Sequence, residues 1–263
     1  MISTKHIPVI EAVIEGDNMN INRQTTVIKE SKMKITTSKV IRWAGLAPMG
    51  AGILYIAIQP IHPLDVFSSV TTAQWAITHY LSIVMDILGM LGIAGIYARQ
   101  VEKSGWLGLS GYLLFSLFWA LSMAFHFIEA FIEPVVANVA PKFVEGLLGM
   151  VTNVPSEMNL GALPAVYMLA GIAGYVLGGL LFGIATFRAG ILPRWAGGLL
   201  ALGAILPLLL SSVVHHPFDR LFAVPVGLAL AWLGYALWSE RQAPASEPVP
   251  GKGSTQLSPT AAA

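Results

Sequence analysis

The sequence predicts an all-α fold: an integral membrane bundle of six transmembrane helices with both termini in the cytosol. Three observations carry this expectation. Only 11% of the 263 residues are charged and 55% are hydrophobic, whereas soluble globular domains carry about 25% charged residues. Six apolar segments follow one another, most of them near the roughly 20 residues that a helix needs to cross a hydrocarbon core of about 30 Å. Basic residues then gather on alternate connections, eight on one side against two on the other.

The first 40 residues are polar and mixed in charge and lack the continuous apolar run of a signal peptide. They are expected to form a disordered cytosolic tail, and Met33 is an alternative start. Residues 41–240 make up the transmembrane domain, with apolar segments at 43–60, 75–98, 106–132, 160–187, 195–214 and 218–238. Lipid offers no partners to unpaired backbone groups, so each segment is a helix rather than an open-edged strand. Residues 241–263, rich in Pro, Ser and Ala, are expected to be a second disordered tail.

Orientation follows from the cations. Lys34, Lys39, Arg42, Arg99, Lys103, Arg188, Arg194 and Arg241 fall on one side, and Lys142 and Arg220 on the other. Cytosolic loops carry the excess of Lys and Arg. Trp43, Trp106, Trp195 and Trp238 lie at the expected inner boundary, and Trp75 at the outer one. Gly174 and Gly178, Gly179 and Gly183, and the row Gly89, Gly92 and Gly95 have the spacing that lets membrane helices approach closely. Pro164, Pro207 and Pro225 are positioned to kink their helices.

The polar groups are unevenly placed. His62, Asp65, His79, His126, Glu129, Glu133, Glu157, His215, His216 and Asp219 all belong to the expected outer half. Ser122, His126, Glu129 and Glu133 recur at the spacing of one helix face, as do His79, Ser82 and Asp86. Asp86 lies near the midplane, where a carboxylate needs a partner; His79 or a neighbouring hydroxyl is expected to supply it. Glu133 and Glu157 are expected in loops. "IHPLD" (61–65) and "HHPFD" (215–219) repeat a His-Pro-apolar-Asp pattern at two outer turns, where the aspartate is placed to cap the next helix.

Imidazoles and carboxylates together suit a transition metal such as zinc. His79, His126, Glu129, His215 and His216 are the candidate ligands, with Ser82, Asp86 and Ser122 as buried polar support. A zinc-bound water would serve an intramembrane hydrolase. Haem held between two histidines and proton-coupled transport through Asp86, His126 and Glu129 are the alternatives. A small molecule or a lipid is the expected ligand and the bilayer the expected partner. The net charge of +1 points to no nucleic acid, and the absence of cysteine removes disulfides and thiolate metal sites. No soluble-enzyme motif is present.

"GYVLGGLLFGIATFRAGILPRWAGGLLALGA" (174–204) and "FAVPVGLALAWLGYALW" (222–238), with the Ile191–Trp195 element and more loosely "RWAGLAPMGAGILY" (42–55), resemble a widespread bacterial family of multi-helix membrane proteins of unknown function, DUF4386-like. The resemblance implies a small helical inner-membrane protein of a bacterium. It implies no activity, ligand or catalytic residue. In the residues themselves, Pro193 suits a helix start, and Arg194 and Trp195 suit an interface.

Overall fold

A computed structural model describes residues 36–155, 157–210, 212–215 and 217–240. Residues 1–35 and 241–263 of the expected tails, the alternative start at Met33, and His216 lie outside the described residues; residues 36–40, expected in the disordered tail, instead cap and open the first helix. The regular structure of the described residues is all helical, with no strand. Its elements are α1 (Thr37–Ala44), α2 (Leu46–Ala57), α3 (Ala73–Phe127), α4 (Glu133–Val136), α5 (Pro141–Thr152), α6 (Leu163–Met168), α7 (Gly179–Ala189), α8 (Arg194–Leu210) and α9 (Ala223–Ser239). Two π-helical segments, Ile128–Ile132 and Leu169–Gly178, continue α3 and α6 without a break. Four stretches are long and apolar enough to cross a membrane: Thr37–Ala57, Ala73–Val136, Leu163–Ala189 and Phe218–Ser239. The apolar α8 is shorter.

Local chemistry explains the helix ends. Thr36 Oγ1 accepts from the Lys39 amide at 3.3 Å, and Thr72 Oγ1 from the Trp75 amide at 3.2 Å, satisfying donors that a helix start leaves orphaned. Pro141 opens α5, where its missing N–H costs nothing. The longest helix is in fact a hairpin. Gly105 takes φ 55° and ψ −155°, a conformation reserved in practice for glycine, and the chain doubles back there. Tyr97 stacks on Tyr112 with ring centroids 4.7 Å apart, and Trp75 Nε1 donates to Glu129 O at 2.8 Å. The arms 73–104 and 106–127 are therefore antiparallel neighbours.

Close contacts then run around a ring: α2 on the first arm of α3, the second arm on Leu169–Gly178 and α7, α7 on α8, α8 on α9, and α9 back on α2. Glycines set these distances. A Cβ on Gly92 would lie 2.7 Å from Pro48, one on Gly174 2.9 Å from Phe118, and one on Gly179 2.7 Å from the Ala204 Cβ. The expected small-residue faces thus split between two partners: Gly174 and Gly178 meet the second arm of α3, and Gly179 and Gly183 meet α8.

The end of the ring that bears Gly105 is filled by fully buried Ile93, Ile96, Phe115, Phe182, Leu200, Leu230 and Leu233. A polar bridge crosses it, Gln100 Nε2 donating to Thr186 Oγ1 at 2.7 Å. Around the same end stand the exposed rings of Trp43, Trp106 and Trp195. The expected partner for them at the opposite boundary is corrected: Trp75 is wholly buried, packed with Val70, Ala137, Val144 and Leu148 beneath α5. Glu133 is also corrected. It lies in α4 rather than in a loop and is 1% exposed. The outward faces of the long helices carry exposed Val84, Leu91, Leu113, Ile172 and Leu228.

Candidate functional site

The end of the ring opposite Gly105 holds a cavity of about 430 Å³. Its walls come from α2, both arms of α3, the two π-helical segments, α8, and the turn Phe218–Phe222 that leads into α9. Both π-helical segments face it, Glu129 from one, Ala170, Gly171 and Tyr175 from the other. The wider turn of a π-helix re-aims side chains and recurs at functional sites.

Two histidine–carboxylate pairs are built across the α3 hairpin. His126 Nδ1 lies 2.6 Å from Asp86 Oδ2, with Asp86 fully buried. Ser122 Oγ lies 3.5 Å from the same nitrogen. His79 Nδ1 donates to Trp75 O at 2.7 Å, since a carbonyl can only accept. Its Nε2 therefore faces Glu129 Oε2, 3.3 Å away. The expected partner of Asp86 is thus replaced: His126 supplies it, because the Gly105 turn sets Asp86 opposite the second arm of α3, and His79 pairs with Glu129 instead.

The expected polar residues are brought together in part. Ser82, Ser122, His126 and Glu129 line the cavity. His79 and Asp86 stand immediately behind them, and the His79 and His126 ring centroids are 6.1 Å apart. Ser82 is buried and donates to Thr78 O at 3.0 Å. His215 is exposed and does not line the cavity. Asp86 Oδ1 is buried without a hydrogen-bond partner among the described residues.

The donor set does not fit a metal. Both nitrogens of His79 and Nδ1 of His126 already face protein oxygens, and no group of three or more His, Asp or Glu side chains able to hold an ion occurs among the described residues. The expected zinc-type set of His79, His126, Glu129 and His215, and the expected histidine pair for haem, are not formed by these side chains.

A clamp missing from the sequence reading stands on the cavity wall. Arg220, noticed there only as a topology charge, donates to His62 O at 3.1 Å, to Pro63 O at 3.0 Å and to the Asp65 carboxylate. It ties the loop after α2 to the turn before α9. Both aspartates of the His-Pro-apolar-Asp echo line the cavity; the N-cap positions of the 3₁₀ turns Phe67–Ser69 and Phe218–Phe222 are Val66 and Pro217, and Thr72 caps α3. Tyr55, Tyr167 and Tyr175 were likewise unforeseen as walls, since aromatic residues on apolar helices carry no signal of what they face.

His62 gives the site a pH dependence. Burial, chiefly, holds its imidazole below the usual histidine value; the Pro63 carbonyl and Asp65 pull it upward, and Arg220 and His126 push it further down. A neutral buried histidine binds fewer protons than the unfolded chain. Its contribution to stability is therefore complete above about pH 6.5 and declines as pH falls through the folded value. Between about pH 8 and 5, thermal unfolding of the wild type should lose more midpoint than that of His62→Gln. Parallel curves for the two proteins would contradict this.

No family model, curated protein or solved structure matches this chain.

Proposed function

We propose that the chain is a six-span membrane protein, both ends cytosolic, that binds a small ligand in a cavity open to the opposite side. Cell-membrane localisation and membership of the DUF4386-like bacterial family belong to the same reading. Counting the two arms of α3 separately and including α8 brings the four membrane-length stretches to six crossings. Arg42, Arg99, Lys103, Arg188 and Arg194 gather at the Gly105 end, which supports a cytosolic position for it. The observation that carries the functional reading is the pair of histidine–carboxylate contacts on and behind the wall of one cavity. Buried ionisable groups inside a membrane bundle are costly and mark function.

A hydrolytic relay is less well supported. Ser122 and Asp86 approach the same nitrogen of His126, whereas a relay needs them on opposite nitrogens. Transport is disfavoured by the closely packed Gly105 end.

Because the chain has no cysteine, single-cysteine labelling needs no altered background. In intact cells, a membrane-impermeant maleimide should label Glu157→Cys and Ser122→Cys, and should reach Lys103→Cys only after permeabilisation. Labelling of Lys103→Cys alone in intact cells would invert the topology. Labelling of Glu157→Cys without Ser122→Cys would close the cavity to the outside.

A further inference from the structure

Resting on the ligand-binding reading above, we infer that the cavity takes a neutral, aromatic-sized carbonyl compound whose oxygen accepts a hydrogen bond from His126 Nε2. One edge of that imidazole is spent and the other is open. Nδ1 is hydrogen-bonded to the fully buried Asp86 carboxylate at 2.6 Å. Nε2, on the far side of the ring, has no partner among the described residues and is not buried, in a side chain that lines the cavity and is 22% exposed. The Asp86 contact holds one proton. A buried pair is least costly at zero net charge, and the imidazole then carries a second proton on Nε2, whether the first sits on Nδ1 or on the carboxyl. The cavity is therefore offered a donor. Ser122, one turn earlier on the same wall, adds a hydroxyl beside it.

Nothing on the wall calls for a charge in the ligand. Arg220 is held by two backbone carbonyls and the Asp65 carboxylate. Glu129 faces His79 Nε2, and Asp219 is engaged as well. An ion of either sign would give up its hydration without gaining an unpaired counter-charge. The rest of the wall suits an aromatic body. Tyr55, Phe118, Phe125, Tyr167 and Tyr175 reach it from α2, the second arm of α3, α6 and the π-helical continuation of α6. Phe118 packs edge-on against Tyr175 with centroids 5.0 Å apart, and Phe125 against Tyr167 at 5.3 Å. These two pairs hold rings where a further ring can add edge-to-face or offset-stacked contacts. A space of about 430 Å³, mostly apolar with a few convergent polar groups, is the ordinary form of a small-molecule site.

The test compares four probes of one shape on the full-length protein in lipid nanodiscs, by calorimetric titration against empty nanodiscs as the blank. They are 2-acetonaphthone, 2-isopropenylnaphthalene (a methylene group in place of the carbonyl oxygen), 2-naphthoate and 2-naphthamidine. The ketone should bind about tenfold tighter than the alkene, as a hydrogen bond from a charge-assisted donor allows, and both ions should bind more weakly than the ketone. The Asp86→Leu/His126→Leu double variant orphans neither partner. It should bring the ketone-to-alkene ratio to about one while the alkene keeps its affinity. The wild-type series stands even where that variant fails to fold. Equal affinities for ketone and alkene, a ratio unchanged in the double variant, or an ion binding tightest would overturn the carbonyl class and leave the cavity as a ligand site. Binding by none of the four would also overturn it, and the Ser122→Cys labelling then decides the cavity reading by itself.

Discussion

Asp86→Leu is expected to be among the most damaging single changes in the chain. It removes one partner of a buried pair and leaves the His126 imidazole, 2.6 Å away in the wild type, facing an apolar side chain. Breaking such a pair from one side costs about 3–5 kcal/mol, because the surviving polar group stays desolvated. His126 is 22% exposed on the cavity side, so solvent relieves part of this and the lower end of that range is expected. Replacing both partners by leucine removes the orphaned group. The double variant should then be more stable than Asp86→Leu alone, and a double-mutant cycle on unfolding midpoints in one detergent reads the coupling directly. Strict additivity of the two single effects would show that the contact contributes nothing.

Gly52→Ala should rival it for a different reason. A methyl group there would run into the Gly227 carbonyl oxygen and come within 2.7 Å of the Ala231 amide nitrogen. Both are backbone atoms of α9, so no side chain can swing aside. The contact is the one by which the last helix closes onto the first, so α2 and α9 must separate and the ring must open. Overpacking of a core usually costs about 1–3 kcal/mol, and this rigid case belongs at the top of that range. Gly50→Ala is the matched control, because its methyl would meet only the movable Leu88 Cδ1 at 3.1 Å. Equal unfolding midpoints for the two variants would remove the argument.

The periodic part of this structure was legible in advance. Ser122, His126 and Glu129 share a helix face by spacing alone, and they line one cavity; the glycine rows meet neighbouring helices as their spacing implies. What depends on the register between helices was not legible. The partner of Asp86 is decided by where Gly105 reverses the chain, and a shift of one turn in that hairpin would have offered another residue. Trp75 and Glu133 sit at segment ends, where sequence position favours an interface or a loop, but both are buried, Trp75 beneath α5. Arg220 reads as a lone topology charge until the loop after α2 is placed beside it. The aromatic walls come from elements far apart in the chain, so only ring closure assembles them.

The tightly packed end of the ring has an electrical consequence. Phe115, Phe182, Leu200, Leu230 and Leu233 are fully buried in that layer, so in the proposed orientation it would be the insulator and the cavity above it would share the potential of the outer solution. A charge carried across a whole bilayer gains about 2.3 kcal/mol per 100 mV, and in that orientation nearly all of the drop would fall across the layer below His126. A charged ligand that stopped beside Glu129 would thus traverse little of the field, and its occupancy should barely respond to voltage. Any step that moved charge past Phe115 towards Gln100 would respond to almost the full value.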